Sequence, residues 1–271
     1  MIKVIFCDLD DTLLTPEKKD VKITDIIAIR RWLKRGNQFV IATARHHTFL
    51  NKITDKMNDF DFDYIGWNGA EIVLKQKTVK LLPFTKNEVI DIYRNMEKFK
   101  MYIKATNINN EYIFESANTY VKSLFINEPC EISNQSLNEY LNEDNPPIIH
   151  INYIFPHKKL HQEFYDEYFK NKNVNKDLYS CKITSELSYD INVKDATKEM
   201  GIQSYLKLNH IPIDQIASIG DSLNDIGMFK LSKYSFCMKH GNEEAKSISN
   251  YVINGVDEAI EIIERLNEYE Q

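Results

Sequence analysis

The residues best equipped for chemistry open the chain. Asp8, Asp10 and Asp11, with the hydroxyl of Thr12, follow directly on Ile2-Lys3-Val4-Ile5-Phe6-Cys7, a run dominated by β-branched and aromatic residues. Such a run reads as a buried strand that delivers its acids to the end of a sheet. Open α/β sheets bind their ligands there. Side chains two apart on an extended chain point the same way, so Asp8 and Asp10 can face one small site with Thr12 turned toward it. Two carboxylates about 4 Å apart repel by roughly 4 kcal/mol at a protein surface. The cluster therefore calls for a cation, and oxygen-only donors suit Mg²⁺ better than zinc.

A second acidic knot repeats this logic near the other end. Ile216-Ala217-Ser218-Ile219 reads as a strand that ends in Gly220-Asp221-Ser222-Leu223-Asn224-Asp225. Asp221 and Asp225, four apart, share a helix face if a helix begins there. Taken alone they would serve equally well as an N-cap and a first-turn acid. Thr43 and Arg45 follow another short apolar run, Phe39-Val40-Ile41-Ala42, and Lys198 sits early in a helical stretch. Acids, a hydroxyl and one lysine, all at strand ends or first helical turns of one sheet, form a convergent set.

Such a set around a metal suggests phosphoryl transfer. A carboxylate, with a free pKa of about 3.9, needs no base to become a nucleophile. Its difficulty is repulsion from a phosphate dianion, which Mg²⁺ and an ammonium group cancel. A covalent aspartyl-phosphate divides the reaction into two easier steps. A second carboxylate nearby can protonate the leaving oxygen and later deprotonate water.

These residues need a scaffold, and the chain supplies an α/β pattern. Lys22 to Arg35 carries Ile23, Ile26, Ile27, Ile29, Trp32 and Leu33 at helical spacing, and Gly36 stops it. Strand, helix, strand predicts a parallel sheet with a right-handed crossover, so Asp8 and Thr43 leave the same edge. A polar helix over 50–57, a strand over 64–67 and a hairpin at 72–74 and 79–82, turning at 75–78, come next.

From about Phe84 to Lys182 the texture changes. All eight glycines lie outside that interval, while Asn, Lys and Tyr crowd it. A helical stripe over 88–99, alternation near 101–105 and 112–114, a strand over 148–155 and a helix over 157–169 predict a separate α+β domain. The expected division is an inserted domain at 84–183 and a discontinuous Rossmann-like core at 1–83 plus 184–271, with the hairpin at 72–82 an equal candidate for the start of the insert. The core resumes with a strand at 190–193 and a helix at 196–208 carrying Lys198. Strands at 216–219, 235–238 and 251–253 and a helix at 256–266 complete it.

With 271 residues the chain can bury a sizeable core. A net charge of −6 and a pI near 5.7 argue against a nucleic-acid partner. The opening apolar run is too short and too acidic at its end for a signal peptide, and no run approaches a membrane span. A soluble, cytoplasmic protein is expected. Cys7, Cys130, Cys181 and Cys237 show no paired spacing, so buried thiols rather than zinc or disulfides are expected. His157 and His161, four apart, lack a nearby third ligand, and an ordinary surface or packing role is expected of them.

Asp8-Leu9-Asp10-Asp11-Thr12-Leu13, Thr43, Lys198 and Gly220-Asp221-Ser222-Leu223-Asn224-Asp225, in that order, resemble the four motifs of the haloacid dehalogenase superfamily, in particular its Cof-type, sugar-phosphatase-like branch. Asn68-Gly69-Ala70, Arg45 and the position of the insert, where that branch carries an α/β cap, add to the likeness. The resemblance covers roughly 1–75 and 188–257.

It implies a Mg²⁺-dependent phosphomonoester hydrolase acting on a small phosphorylated metabolite, a sugar phosphate or a phosphorylated cofactor. Asp8 would be the nucleophile and Asp10 the general acid/base, with its main-chain carbonyl on the metal. Asp221 would complete the metal ligands, with Asp225 holding a metal water or Lys198. Thr43 and Lys198 would bind the transferring phosphoryl group, Asn224 would assist, and Arg45 would meet the substrate or pair with an acid. The insert would close over the substrate as a cap. Ala44 and Glu199 stand where the branch commonly has Gly, and Asp11 is a familiar variant at another such place. A phosphotransferase or mutase of the same chemistry, and a non-catalytic phospho-ligand sensor, are the alternatives. Tyr102, Tyr112, Tyr153 and Tyr179 are the candidate aromatic groups of the cap.

Overall fold

The computed structural model describes residues 1–16, 20–47, 62–99, 101–115, 117, 119–124, 130–167, 179–185 and 187–270. The helix expected over 50–57 lies outside them. The chain divides into two units, one of residues 1–80 and 197–271, the other of residues 81–196.

The first unit is built on β1 (Val4–Cys7), every residue of which is buried. Its β-branched and aromatic side chains alternate between two hydrophobic layers: Ile5 and Cys7 enter one, Val4 and Phe6 the other. Helix α1 (Ile23–Lys34) packs Ile26, Ala28, Ile29 and Trp32 into the first layer. Ile23 and Ile27, part of the expected apolar stripe, stay exposed. Truncating Trp32 to Ala would cost about 3–5 kcal/mol. Gly36, at φ 78°, takes the left-handed turn that releases the chain into β2 (Gln38–Ala42).

Strands β2 and β3 (Asp63–Gly66) pair in parallel, and β4 (Glu71–Leu74) runs antiparallel to β3. A two-residue turn joins β4 to β5 (Lys77–Leu81). Its residues, Lys75 and Gln76, both have positive φ, the backbone that fits the twist of a tight hairpin.

The second unit starts with α2 (Lys86–Phe99) and the hairpin of β6 (Tyr102–Asn107) and β7 (Glu111–Glu115). The short α3 (Thr119–Ser123), β8 (Glu131–Ser136) and α4 (Leu137–Asn142) follow. Then come β9 (Ile148–Ile154), α5 (Lys158–Tyr165), β10 (Tyr179–Ser185) and β11 (Ser188–Val193). The strands form a six-stranded sheet, β10-β11-β9-β6-β7-β8, antiparallel except at β7–β8. One face carries Ile103, Ala105, Ile113, Ile151, Tyr153 and Ile191 onto Val89 and Ile92 of α2 and Phe164 of α5.

Strand β11 corrects the sequence reading. Residues 190–193 were expected to begin the return of the core, yet they pair antiparallel with β9 and β10 in this second sheet. Of the four candidate cap tyrosines, Tyr153 and Tyr179 belong to this unit's hydrophobic core and Tyr112 is buried on the opposite face, while Tyr102 is half-buried. The two histidines four apart also find packing roles. His157 caps α5 by accepting from the Leu160 N–H, and the His161 ring stacks on Tyr189 with 4.7 Å between centroids.

The first unit resumes with α6 (Lys198–Asn209), β12 (Ile216–Gly220) and α7 (Ile226–Leu231). It closes with β13 (Tyr234–Met238), α8 (Glu243–Ile248), β14 (Tyr251–Ile253) and α9 (Val256–Tyr269). The eight strands lie in the order β14-β13-β12-β1-β2-β3-β4-β5. Helices α1 and α9 line one face, and α6, α7 and α8 the other. The chain leaves β1 toward β2 on one side and returns to β12 on the other. Strand order reverses at β1, which makes its carboxyl end the expected ligand site of a doubly wound sheet.

Candidate active site

Strands β1 and β12 are parallel and in register, Cys7 opposite Ile219, so both acidic loops leave the sheet at the same place. Asp8 donates its main-chain N–H to the Ile219 carbonyl at 2.8 Å, which fixes the first residue beyond β1. Asp11 then adopts φ 57°, a left-handed turn that Asp tolerates better than most residues. Here the loop reverses, and Thr12 donates its hydroxyl to Asp221 Oδ1 at 3.1 Å. The two acidic stretches, 209 positions apart, thus touch directly.

Lys198 joins them. It is the first residue of α6 and is wholly buried. Its ammonium donates to Asp8 and, at 2.6 Å, to Asp225 Oδ1. Gly69 makes this placement possible. It sits at φ 105°, and a Cβ there would collide with the main-chain carbonyl of Thr197, the residue that caps α6. Asn68 and Gly69 therefore let the turn after β3 press against the helix start that carries Lys198.

Asp225 is fully buried and saturated with donors. Beside Lys198 on Oδ1, its Oδ2 accepts the Asp221 and Ser222 N–H groups at 2.9 and 3.0 Å and the Ser222 hydroxyl at 3.3 Å. Gly220 is required beneath it, because a Cβ there would lie 2.5 Å from the Asp225 carboxyl. Asp225 thus braces the lysine and folds its own loop, and it is Asp221 that has oxygen to spare.

The electrostatics follow from three carboxyl groups facing one ammonium. Burial pulls the Lys198 ammonium down, but the carboxylates of Asp225 and Asp8 outweigh it and hold the lysine charged, above its ordinary value. Burial pushes Asp8 well above the usual carboxylate range, and Asp225 and Asp221 push it the same way against the pull of Lys198. Asp221 is raised to about 6 by burial and by Asp225, in spite of the Thr12 hydroxyl. The cluster is short of positive charge. Ligand oxygens of Asp8, Asp221 and Asp225 lie within 4.8 Å of one another, so one divalent cation bound among them would make up the deficit.

Asp10 stands apart from that trio. Its Oδ2 accepts from Arg45 Nε at 2.6 Å, while its Oδ1 is buried without a hydrogen-bond partner. Thr43, just beyond β2, is buried and accepts the Arg45 N–H on its hydroxyl oxygen at 3.2 Å, which leaves the hydroxyl proton to donate elsewhere. Asn224 donates to Asn68 Oδ1 at 3.4 Å, and Asn68 donates its N–H to the Thr43 carbonyl at 2.9 Å. All eight expected site residues therefore lie at the carboxyl edge of one sheet. They form an inner group of Asp8, Lys198, Asp221 and Asp225 and a flanking one of Asp10, Arg45, Thr43 and Asn224.

The two unusual residues have structural explanations. Ala44 is not among the described residues with left-handed backbone, so its methyl meets no conformational obstacle. Glu199 is half-buried, its side chain lying where a Cβ on residue 227 would fall, a space that Gly227 leaves open.

Sequence reasoning missed His46, His47 and Glu71, whose ligand atoms also lie within 4.8 Å of one another. The adjacent histidines after Arg45 were a weak signal. Glu71, 24 positions past His47, gave none.

A family model of haloacid dehalogenase-like hydrolases matches residues 5–260. Phosphatase YwpJ of Bacillus subtilis is 25% identical over 287 aligned positions, covering 95% of this chain and 96% of that protein. Phosphoglycolate phosphatase 1 of Saccharolobus solfataricus is 21% identical, covering 93% and 89%. Among solved structures, a haloalkanoate-superfamily phosphatase from Bacteroides thetaiotaomicron superposes with a TM-score of 0.80 at 20% identity, over 98% of this chain and 96% of that one. A Thermotoga maritima protein gives 0.79 at 20% identity, over 96% and 97%. The structural likenesses show a common fold. Among the described residues no helix is long and apolar enough to cross a membrane.

Proposed function

The chain belongs to the haloacid dehalogenase-like hydrolases, and on that premise we propose that it is a Mg²⁺-dependent phosphatase of small phosphomonoesters, sugar phosphates or phosphorylated cofactors. The observation that carries the reading is the buried ammonium of Lys198 between Asp8 and Asp225, with Asp221 in reach, where strand order reverses. The donor set fits a hard cation, since it offers oxygen alone. Asp8, Asp221 and the Asp10 carbonyl would hold Mg²⁺, with Asp225 behind them. Bound there, Mg²⁺ neutralises charge on the phosphoryl oxygens.

The rest is done by side chains. Asp8 attacks phosphorus through a carboxylate oxygen, forming an aspartyl-phosphate as the ester bond breaks. Lys198 and the Thr43 hydroxyl hold the phosphoryl oxygens, and Asn224 orients the loop beside them. Arg45 fixes one oxygen of Asp10, so the buried and unpartnered Oδ1 carries the proton to the leaving oxygen. The same oxygen then takes a proton from water, whose attack on phosphorus frees Asp8 and releases inorganic phosphate. Residues 1–80 and 197–271 form the catalytic core in this reading, and residues 81–196 the cap that selects the substrate.

A panel of phosphorylated metabolites assayed for inorganic phosphate with Mg²⁺ tests the proposal and names the substrate. Full hydrolytic activity in Asp8→Asn would overturn it, and product that keeps the phosphoryl group on a second metabolite would make the enzyme a transferase.

A further inference from the structure

A second cluster of metal-ligating side chains lies in the first unit and has no part in the chemistry above. His46 and His47 follow Arg45 in the segment beyond β2, and Glu71 opens β4. Glu71 and His46 are buried, while His47 is 39% exposed through its side chain. His47 Nδ1 lies 2.9 Å from Glu71 Oε1, and His46 Nε2 lies 3.8 Å from the same oxygen. The two imidazole rings stand 3.9 Å apart, tilted by 46°.

Two observations make this more than a hydrogen-bonded knot. First, Glu71 Oε2 is buried with no hydrogen-bond partner, while Oε1 meets His47 and the Thr78 hydroxyl, so one carboxylate oxygen lacks the interaction that a cation supplies. Second, the titratable groups that face Glu71 are imidazoles. Among the described residues they are the only ion-pair partners of Glu71. Burial lowers His46 to about 4 although Glu71 pulls the other way, which disfavours the charged form of that ring.

We propose that His46, His47 and Glu71 form a zinc-class transition-metal site, separate from the carboxylate site of Asp8 and Asp221. Two imidazole nitrogens and a carboxylate oxygen form a donor set that zinc accepts readily in tetrahedral geometry and Mg²⁺ does not favour. Zinc–ligand bonds of about 2.0–2.2 Å put ligand atoms roughly 3.3–3.5 Å apart, a contraction that side-chain rotation can supply from the present spacing. The exposed side of His47 leaves the fourth position to water. Metal binding displaces the proton between His47 and Glu71 and ties the segment after Thr43 and Arg45 to the start of β4.

The test is a zinc titration of the metal-free chain in excess Mg²⁺, read by calorimetry and by elemental analysis after desalting. Cobalt substitution reports geometry through its visible absorption. One tightly held zinc per chain is expected, with affinity lowered at least about tenfold in both Glu71→Gln and His47→Ala and kept in Asp221→Asn. His47 is half-exposed, so its variant keeps the fold, which circular dichroism verifies. Three results would each overturn the proposal: no zinc retained by the unaltered chain, equal affinity in Glu71→Gln and His47→Ala, or loss of zinc in Asp221→Asn.

Discussion

The two sheets of this chain carry their polar groups in different places. In the eight-stranded sheet the three strands that lead into the site, β1, β2 and β12, are apolar but for Gln38 and Ser218, and Asp8, Thr43 and Asp221 come one residue after a strand has ended. In the six-stranded sheet Lys104, Thr106, His150, Asn152, Asp190 and Asn192 lie within the strands, opposite the hydrophobic face. There the polar groups meet across the ladder. Lys104 is opposite Asn152, Asn152 opposite Asp190 and hydrogen-bonded to it, and His150 Nε2 lies 3.4 Å from Asp190. A group at a strand end projects from a rigid support into space that a ligand can enter. A group inside a strand is held by its neighbours in register, so its first role is to specify the sheet.

The largest effect expected from this contrast is at Asp8. Asp8→Asn keeps the carboxamide in the same shape but removes the nucleophile, and hydrolysis of p-nitrophenyl phosphate with Mg²⁺ should fall by at least about 10³-fold. Lys198→Met should cost about 10²-fold or more in kcat. It should also lower unfolding free energy by about 3 kcal/mol or more in urea, because it strands two buried carboxyl groups. Arg45→Ala, at a half-exposed pair, should slow turnover by about tenfold or less while leaving urea stability within about 1 kcal/mol.

In the second sheet the signs reverse. Asp190→Ala should lose about 1–3 kcal/mol of stability by leaving the Asn152 amide unpaired, yet change aryl phosphate hydrolysis by no more than about threefold. A loss of activity there comparable to that of Asp8→Asn would erase the distinction between the two sheets.

The smallest effect concerns an acid of the first unit that is not at a strand end. Asp25 accepts the Asp257 N–H at 2.9 Å and so anchors the start of α9 to α1. Burial, with the nearby Asp257 carboxylate, raises Asp25 to about 6. An acid raised on folding holds its proton more tightly in the folded chain. Its unfavourable contribution therefore grows as pH rises from about 4 to about 6 and is constant above that. Asp25→Asn should gain thermal stability over the unaltered chain near neutral pH, and the gain should shrink as pH falls through about 6. A gain independent of pH would mean that burial does not govern this carboxyl.

The strand-end chemistry was legible because it is local. An apolar run followed by acids reveals the strand and its end twice, at Asp8 and at Asp221 with Asp225, while Lys198, at a helix start, was placed by the order of the four family motifs. The boundary of the second unit was read less well. Residues 190–193 looked like one more buried strand, although Asp190 and Asn192 alternate with Tyr189 and Ile191, which suits an antiparallel sheet with a polar face better than a parallel core strand. That alternation was the available signal, and the division falls at 196/197 instead. The short β8 and α4 also went unread, since Glu131 to Asn142 has too few apolar residues to set a period. The cluster of His46, His47 and Glu71 depends on β3 and β4 folding back on each other, a long-range event that leaves no spacing in the sequence.

The central claim is that Asp8 accepts a phosphoryl group beside a divalent ion shared with Asp221. A crystal structure grown with Mg²⁺ and fluoroberyllate, an acyl-phosphate mimic, tests it most directly. The account predicts beryllium bonded to an Asp8 carboxylate oxygen, Mg²⁺ held between Asp8 and Asp221, and Lys198 on a fluoride. Fluoroberyllate on another carboxylate, or Mg²⁺ bound away from Asp221, would contradict it.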